Sequence, residues 1–420
     1  MISPHKLLLA SLLSWLPLSS VLTSNALAAE HDHLSLEKTD SLSLQAMHEA
    51  AMLRVPDSLM DQAYREQAEG YTALGSRLLA DSPSWEASYA SDALSDDTGF
   101  REMGAGITLP LWRPGERSDA RQLGETHSQR AAAWEAQLSL TVAGRLRTVL
   151  GQIHQAETAL ALANESIALA EQVLDISQRL HAAGSIAEYD LLQAESLLLQ
   201  RRSEALLANA ELVDAERGYN VLTGLEQRSA SPLAESRSPL QEIPDEHPSL
   251  RYLQSLMALE DARIEEKRRQ SRGSPSITLG TRRERGNFID PYVDIAAVSV
   301  SIPFGTSAAM NTAVADARSS RLVAEVQWRN TRLELERQLH EVMHDTEVVE
   351  ESLEYSQAQL ALNERFWQMS VTAFEAGETT LTEVKLALQR LADSRYETER
   401  LRLEQQLLDS EYNQIVGVLP

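Results

Sequence analysis

The residues with the plainest chemical reading are His340, Glu341 and His344. They fit H-E-x-x-H, in which two histidines one helical turn apart hold zinc and the glutamate is a general base, with Glu364 downstream as a third ligand. The setting argues against a peptidase. The motif falls within a stretch patterned as one straight coiled-coil helix, which offers no cleft and no open coordination position. In the internal repeat described below, His340 corresponds to Arg147, a residue type expected on a solvated face. His31-Asp32-His33 is a second chelating pattern, and reads equally as a solvated chain end. The expectation is no enzyme, no cofactor and no resident metal, with metal uptake by His31, His33, His340 or His344 left open.

The element that must position any such residue is written twice. Arg179–Gly224 and Thr372–Gly417 match without gaps at a constant offset of 193 residues, as between Gly184 and Gly377, Tyr219 and Tyr412, Asn220 and Asn413, or Gly224 and Gly417. In each copy an Ala-Gly pair, Ala183-Gly184 and Ala376-Gly377, interrupts strongly helical sequence, so each copy reads as a long hairpin folded at its glycine. The outgoing helix of the first hairpin carries the seven-residue series Leu146, Ile153, Leu160, Ile167 and Leu174, with a second series from Val142 to Ala170. Its return helix carries Leu192, Leu199, Leu206 and Val213. Such series specify left-handed coiled coils.

Each hairpin is preceded by a change of period from helical to alternating. Trp85, Ala87 and Tyr89 alternate with polar residues, as do Ala105, Ile107, Leu109 and Leu111 with Gly104, Gly106 and Thr108. In the second copy Ile277 and Leu279, a charged loop 282–290, and Val298, Val300, Ile302 and Phe304 repeat the scheme with the same parity. Ile107, Leu109, Val300 and Ile302 therefore share an apolar face, suited to lipid, with small polar residues behind them. Four strands cannot close a barrel; three copies would supply about twelve.

The N-terminus reads as a secretory signal over 1–28, with an apolar run from Leu7 to Leu22 before Ala26-Leu27-Ala28. After it the expected units are N-terminal helical segments 29–82, a first repeat 83–226, a Pro-rich linker or equatorial region 227–249, and a second repeat 250–420. With no cysteine, disulfides, thiolate sites and a lipidated N-terminal cysteine are excluded. A net charge of −24 argues against nucleic acid as a partner.

Taken together, Ala183-Gly184…Asp190-Leu191-Leu192-x-Ala194, Tyr219-Asn220…Leu222-Thr223-Gly224, their second copies, and the strand ends Leu109-Pro110-Leu111 and Ile302-Pro303-Phe304 resemble the TolC family of outer-membrane efflux proteins, in its CzcC-like branch. The resemblance implies an α+β membrane protein: a homotrimer whose 12-stranded β-barrel in outer-membrane lipid continues as an α-helical barrel through the periplasm. It implies a passive exit duct docking at Ala183, Gly184, Ala376 and Gly377 to a periplasmic adaptor (membrane fusion) protein and an inner-membrane efflux pump, with heavy-metal cations as a cargo class. The duct of a type I protein secretion system is the alternative within the fold, and a soluble periplasmic coiled-coil adaptor the alternative outside it. Glu383 and its counterpart Asp190 match an acidic entrance gate; equally, both are first-turn helix acids that complement the macrodipole.

Overall fold

The computed structural model describes residues 36–39, 41–230, 235–270, 273–305 and 308–420. The signal segment, His31 and His33 lie outside them. Strand β1 (Glu37–Thr39) leads into α1 (Leu44–Arg54), whose N-cap Ser43 accepts the Ala46 amide at 3.1 Å, and then α2 (Leu59–Ser76). Strands β2 (Ser84–Ser91) and β3 (Arg101–Pro110) precede α3 (Glu116–Ala182) and α4 (Glu188–Thr223). After β4 (Gln227–Ser229) the second copy runs through α5 (Pro248–Gln270), β5 (Ser276–Arg285), β6 (Val293–Ser301), α6 (Ala308–Glu375) and α7 (Leu381–Ile415).

Helix α3 has 67 residues, about 100 Å at the α-helical rise. No proline interrupts it, and Glu116 and Asp119 place negative charge in its first turn. The two hairpins lie side by side. α3 packs on both α4 and α7, and α6 packs on α7, which leaves α4 and α6 as the flanks. Near the hairpin turns all four share one core, with Ala194, Val384, Ala387 and Leu388 fully buried. Alanines at these positions let the helices approach closely. Closer approach still occurs where α2 crosses α3: a Cβ on Gly124 would stand 2.9 Å from the Thr72 amide nitrogen, and one on Gly75 2.9 Å from that of Arg121.

The strands form one antiparallel sheet in the order β2-β3-β5-β6. The sheet is open, with β2 and β6 as its edges. Strand β5 reaches Arg285 and so takes in the first four residues of the stretch 282–290 expected as loop. Charged residues continue the ladder there because they pair: Arg283 with Asp294 at 3.3 Å, and Arg282 with Glu284 at 3.0 Å. No helix among the described residues is long and apolar enough to cross a membrane.

The described residues of segment 227–249 are docked on the rest of the chain. β4 pairs in parallel with β1, Ile243 and His247 are buried, and Arg228, 3% exposed, reaches Glu216 at 3.1 Å and Glu157 at 2.5 Å. Nothing in its Pro- and Ser-rich composition signals this, because the partners lie far away in sequence.

Candidate functional site

The two hairpin turns are built alike, and their chemistry is that of the backbone. In the first, Ser185 N–H donates to the Leu180 carbonyl and Gly184 N–H to that of His181, both at 2.8 Å. In the second, Glu378 N–H reaches Ala373 at 2.8 Å and Gly377 N–H reaches Phe374 at 3.0 Å. This paired closure of a helix end needs a left-handed residue at the turn, and φ is 74° at Gly184 and 75° at Gly377. Nothing lies within 4 Å of where a Cβ would stand on either glycine, so their requirement is purely conformational. Ala183, Gly184, Ala376 and Gly377 are thus exposed at the end of the helices opposite the sheet.

Glu383 and Asp190 hold equivalent places in the first turns of α7 and α4. Thr380 caps α7 by accepting the Glu383 amide at 3.4 Å, and the Glu383 carboxylate accepts the Thr379 hydroxyl. Glu383 is therefore an exposed first-turn acid in the single chain, tied to Thr379, with Thr380 as the cap. Asp190 has no such arrangement, since the N-cap of α4 is Ala187, which has no side-chain acceptor.

In the sheet, register aligns the apolar residues into rungs. Trp85, Ile107, Leu279 and Val298 are successive cross-strand partners, as are Leu109, Ile277 and Val300. The opposite face carries Ser84, Thr108, Thr278 and Ser299 in one rung, with a 2.8 Å hydrogen bond between the two threonine hydroxyls. Ile107 and Val300 are exposed and Leu109 half-buried. Ile302 needs a correction: β6 ends at Ser301, and Ile302 lies one residue beyond it.

The seven-residue series divide in a way the pattern alone did not show. Leu146 and Ile153 are buried in the protomer, whereas Leu192, Leu199 and Leu206 are 56%, 65% and 70% exposed. They point away from α3. A matching outward series runs along α6 at Val348, Tyr355, Leu362 and Met369.

His340 and His344 are solvent-exposed on α6, and no group of three or more potential metal ligands occurs among the described residues. Arg147, expected on a solvated face, is buried instead. Arg147 is 5% exposed, held by Glu235 at 2.8 Å, the Gln414 side chain at 2.6 Å and the Val418 carbonyl at 3.1 Å. The repeated Tyr-Asn pair is structural as well. Tyr219 donates to the Gln227 carbonyl at 3.0 Å, Tyr412 donates to that of Leu240, and Asn220 and Asn413 tie the chain after each helix through the carbonyls of Leu225 and Ser236.

One buried group escaped sequence reading. His127 in α3 is 1% exposed and stacks on Tyr71 with 4.4 Å between ring centroids. Its ring nitrogens have no hydrogen-bond partner among the described residues. Burial, reinforced by Arg130 and Arg263, pushes its pKa down to about 4.

Residues 79–225 match the family described as outer membrane efflux protein. A stretch of 229 residues is 24% identical to the nickel-cobalt-cadmium resistance protein NccC of Alcaligenes xylosoxydans xylosoxydans, and covers 50% of this chain and 51% of that protein. The chain thus matches about half the length of that relative. Two solved structures share the fold. VceC of Vibrio cholerae superposes with a TM-score of 0.71 at 12% identity, covering 89% of this chain and 96% of that one. CusC gives 0.70 at 16% identity, covering 89% and 92%. Over residues 79–225 the chain is thus similar to the outer membrane efflux protein family, and with its duplicated strand pair and hairpin it shares the fold of the solved channels VceC and CusC.

Proposed function

We propose that three copies assemble into a passive exit duct, a twelve-stranded barrel in the outer membrane continued by a ring of helices. One observation carries this: the outward series on the two flanking helices are in register. Leu192, Leu199 and Leu206 stand 8, 15 and 22 residues after Gly184, and Met369, Leu362 and Tyr355 stand 8, 15 and 22 before Gly377. α4 runs away from its turn and α6 towards its own. With the turns level, α4 of one copy and α6 of the next meet antiparallel, apolar residue against apolar residue. The same ring joins the free edges β2 and β6 of neighbouring sheets, which removes every unpaired edge and gives an even strand number.

In this duct the turns at Gly184 and Gly377 form the periplasmic tips that meet an adaptor protein and, through it, an inner-membrane pump. Three copies of Glu383 near the axis give the entrance a negative field that favours cations. The similarity to a nickel-cobalt-cadmium resistance protein supports metal-cation efflux over protein secretion.

The chain has no native cysteine, so cross-links are unambiguous. The test is the double variant Leu199→Cys with Leu362→Cys, oxidised in intact cells. Covalent trimers on a non-reducing gel are expected from this pair and not from Leu192→Cys with Tyr355→Cys. Equal yields, or none from the matched pair in folded protein, refute the register and the trimer built on it.

A further inference from the structure

At its loop end, away from the helices, the apolar face of the sheet turns basic. Alternation along the strands brings Arg101, Arg283 and Arg285 onto the face that carries Ile107, Leu279 and Val298. Arg101 and Arg285 are direct cross-strand partners, and like charges so placed repel unless an anion lies close.

The three arginines are not equally neutralised. Arg101 pairs with Asp92 at 3.1 Å and Asp97 at 3.3 Å, while Arg283 has Asp294 at 3.3 Å, an acid 76% exposed. Arg285 has no ion pair among the described residues; its Nε donates to the Gly99 carbonyl at 3.2 Å. Its guanidinium lies 5.5 Å from the Phe288 ring and 5.0 Å from that of Tyr292, and Arg283 approaches the same Tyr292 ring at 5.4 Å. Two guanidiniums thus flank one phenol. The loops that hold them are tied together, since Phe288 N–H donates to the Thr98 carbonyl at 3.2 Å and the Asp92 carboxylate accepts the Thr98 hydroxyl at 2.7 Å.

We propose that Arg283 and Arg285, on either side of Tyr292, bind a phosphate group of an outer-leaflet glycolipid. A guanidinium presents a planar fork of donors that matches phosphate, and two of them anchored on aromatic faces are positioned in advance. The lone partner acid, Asp294, is exposed, so its pairing with Arg283 is weak and exchangeable. Lipid is favoured over a free anion because exposed Tyr89 and Met103 lie on the same face, beside the arginines and towards the midplane, where a headgroup's sugar and acyl chains would rest. This inference rests on the reading of that face as lipid-facing.

The test starts from the full chain purified from outer membranes in mild detergent, with phosphorylated glycolipid per chain counted by mass spectrometry. Arg283→Gln with Arg285→Gln should lower retention roughly fivefold or more, as expected for two lost charge-assisted contacts. Arg282→Gln, on the opposite face and paired with Glu102 and Glu284, should leave it unchanged. Added back to delipidated protein, phosphorylated glycolipid should raise the melting temperature, and neither its dephosphorylated form nor inorganic phosphate should do so. Undiminished lipid in the double variant, an equal loss in Arg282→Gln, or equal stabilisation by inorganic phosphate overturns the site while leaving the membrane reading intact. Recovery of the wild-type chain in the soluble fraction, free of glycolipid, overturns both.

Discussion

Leu199 and Leu198 are neighbours in α4 with opposite expected consequences. Leu198 is 7% exposed in the single chain and belongs to the core shared by the four helices near the tips; Leu199 is 65% exposed. A fully buried Leu→Ala costs about 2–5 kcal/mol, so Leu198→Ala should fall on the protomer itself by about that amount. For Leu199→Ala roughly one third of the cost, about 1–2 kcal/mol, belongs to the protomer, and the remaining two thirds appear only when a neighbouring α6 covers the side chain. That remainder is about 1–3 kcal/mol per seam, and over three identical seams about 4–10 kcal/mol per ring, enough to weaken assembly by at least a thousandfold. The assay is sizing of detergent-solubilised protein over a concentration and temperature series, with helical content followed by circular dichroism. Leu199→Ala should dissociate at markedly lower temperature or higher dilution while keeping its helical signal, and Leu198→Ala should lose helical signal and assembly together. If Leu199→Ala trimers are as robust as wild type, α4 is not a flank covered by α6 and the register argument fails.

Four further outcomes are expected. Gly184→Val or Gly377→Val places a β-branched residue at φ near 75° in open space, a backbone strain of about 1–2 kcal/mol; trimers should persist on gels while export and adaptor cross-linking are lost. Ile107→Arg should impair outer-membrane assembly by about 2–4 kcal/mol and Thr108→Arg by clearly less, as read from folded protein in heat-shift gels, equal effects removing the facial assignment. Glu383→Gln should reduce cation selectivity in single-channel recordings with trimer stability near wild type, since the Thr380 cap on the Glu383 amide remains; unchanged selectivity leaves this carboxylate as a first-turn helix acid alone. For His127, the folded pKa of about 4 lies below its ordinary 6.5, so the unfolded chain binds the proton first; stability from this group is complete above about pH 6.5 and declines as pH falls towards about 4, by about 2 kcal/mol at pH 5. His127→Phe, which keeps the stack on Tyr71, should flatten that slope in melts recorded from pH 7 to pH 4.5.

Local features of the chain were legible because their physics is local. A glycine that must adopt positive φ is visible in Gly184 and Gly377, strand parity is visible in Ile107 and Val300, and the repeat offset needs only comparison of the chain with itself. Charged strand ends were missed because Arg282 to Arg285 pattern as loop until their cross-strand partners are known. The Tyr-Asn repeats were legible as a motif but not as a pair of staples, since the carbonyls they tie down carry no sequence signal.

The sequence by itself determined the duplication, the hairpins and their turns, the four strands of the antiparallel sheet and the face each of their apolar residues takes, but not the parallel pair β1–β4, whose two partners lie 190 residues apart. Tertiary structure decided which stripe is covered by the chain and which is left bare. A seven-residue period states that a helix has an apolar stripe, and leaves its partner unnamed; Leu146 and Leu199 have the same pattern, yet one is buried in the protomer and the other faces outward. It also decided that Arg147 is buried, because the Glu235 and Gln414 that neutralise and bind it stand 88 and 267 residues away. A charge can leave water only where its partners are brought to meet it, and that meeting belongs to the packed fold rather than to any local stretch of sequence.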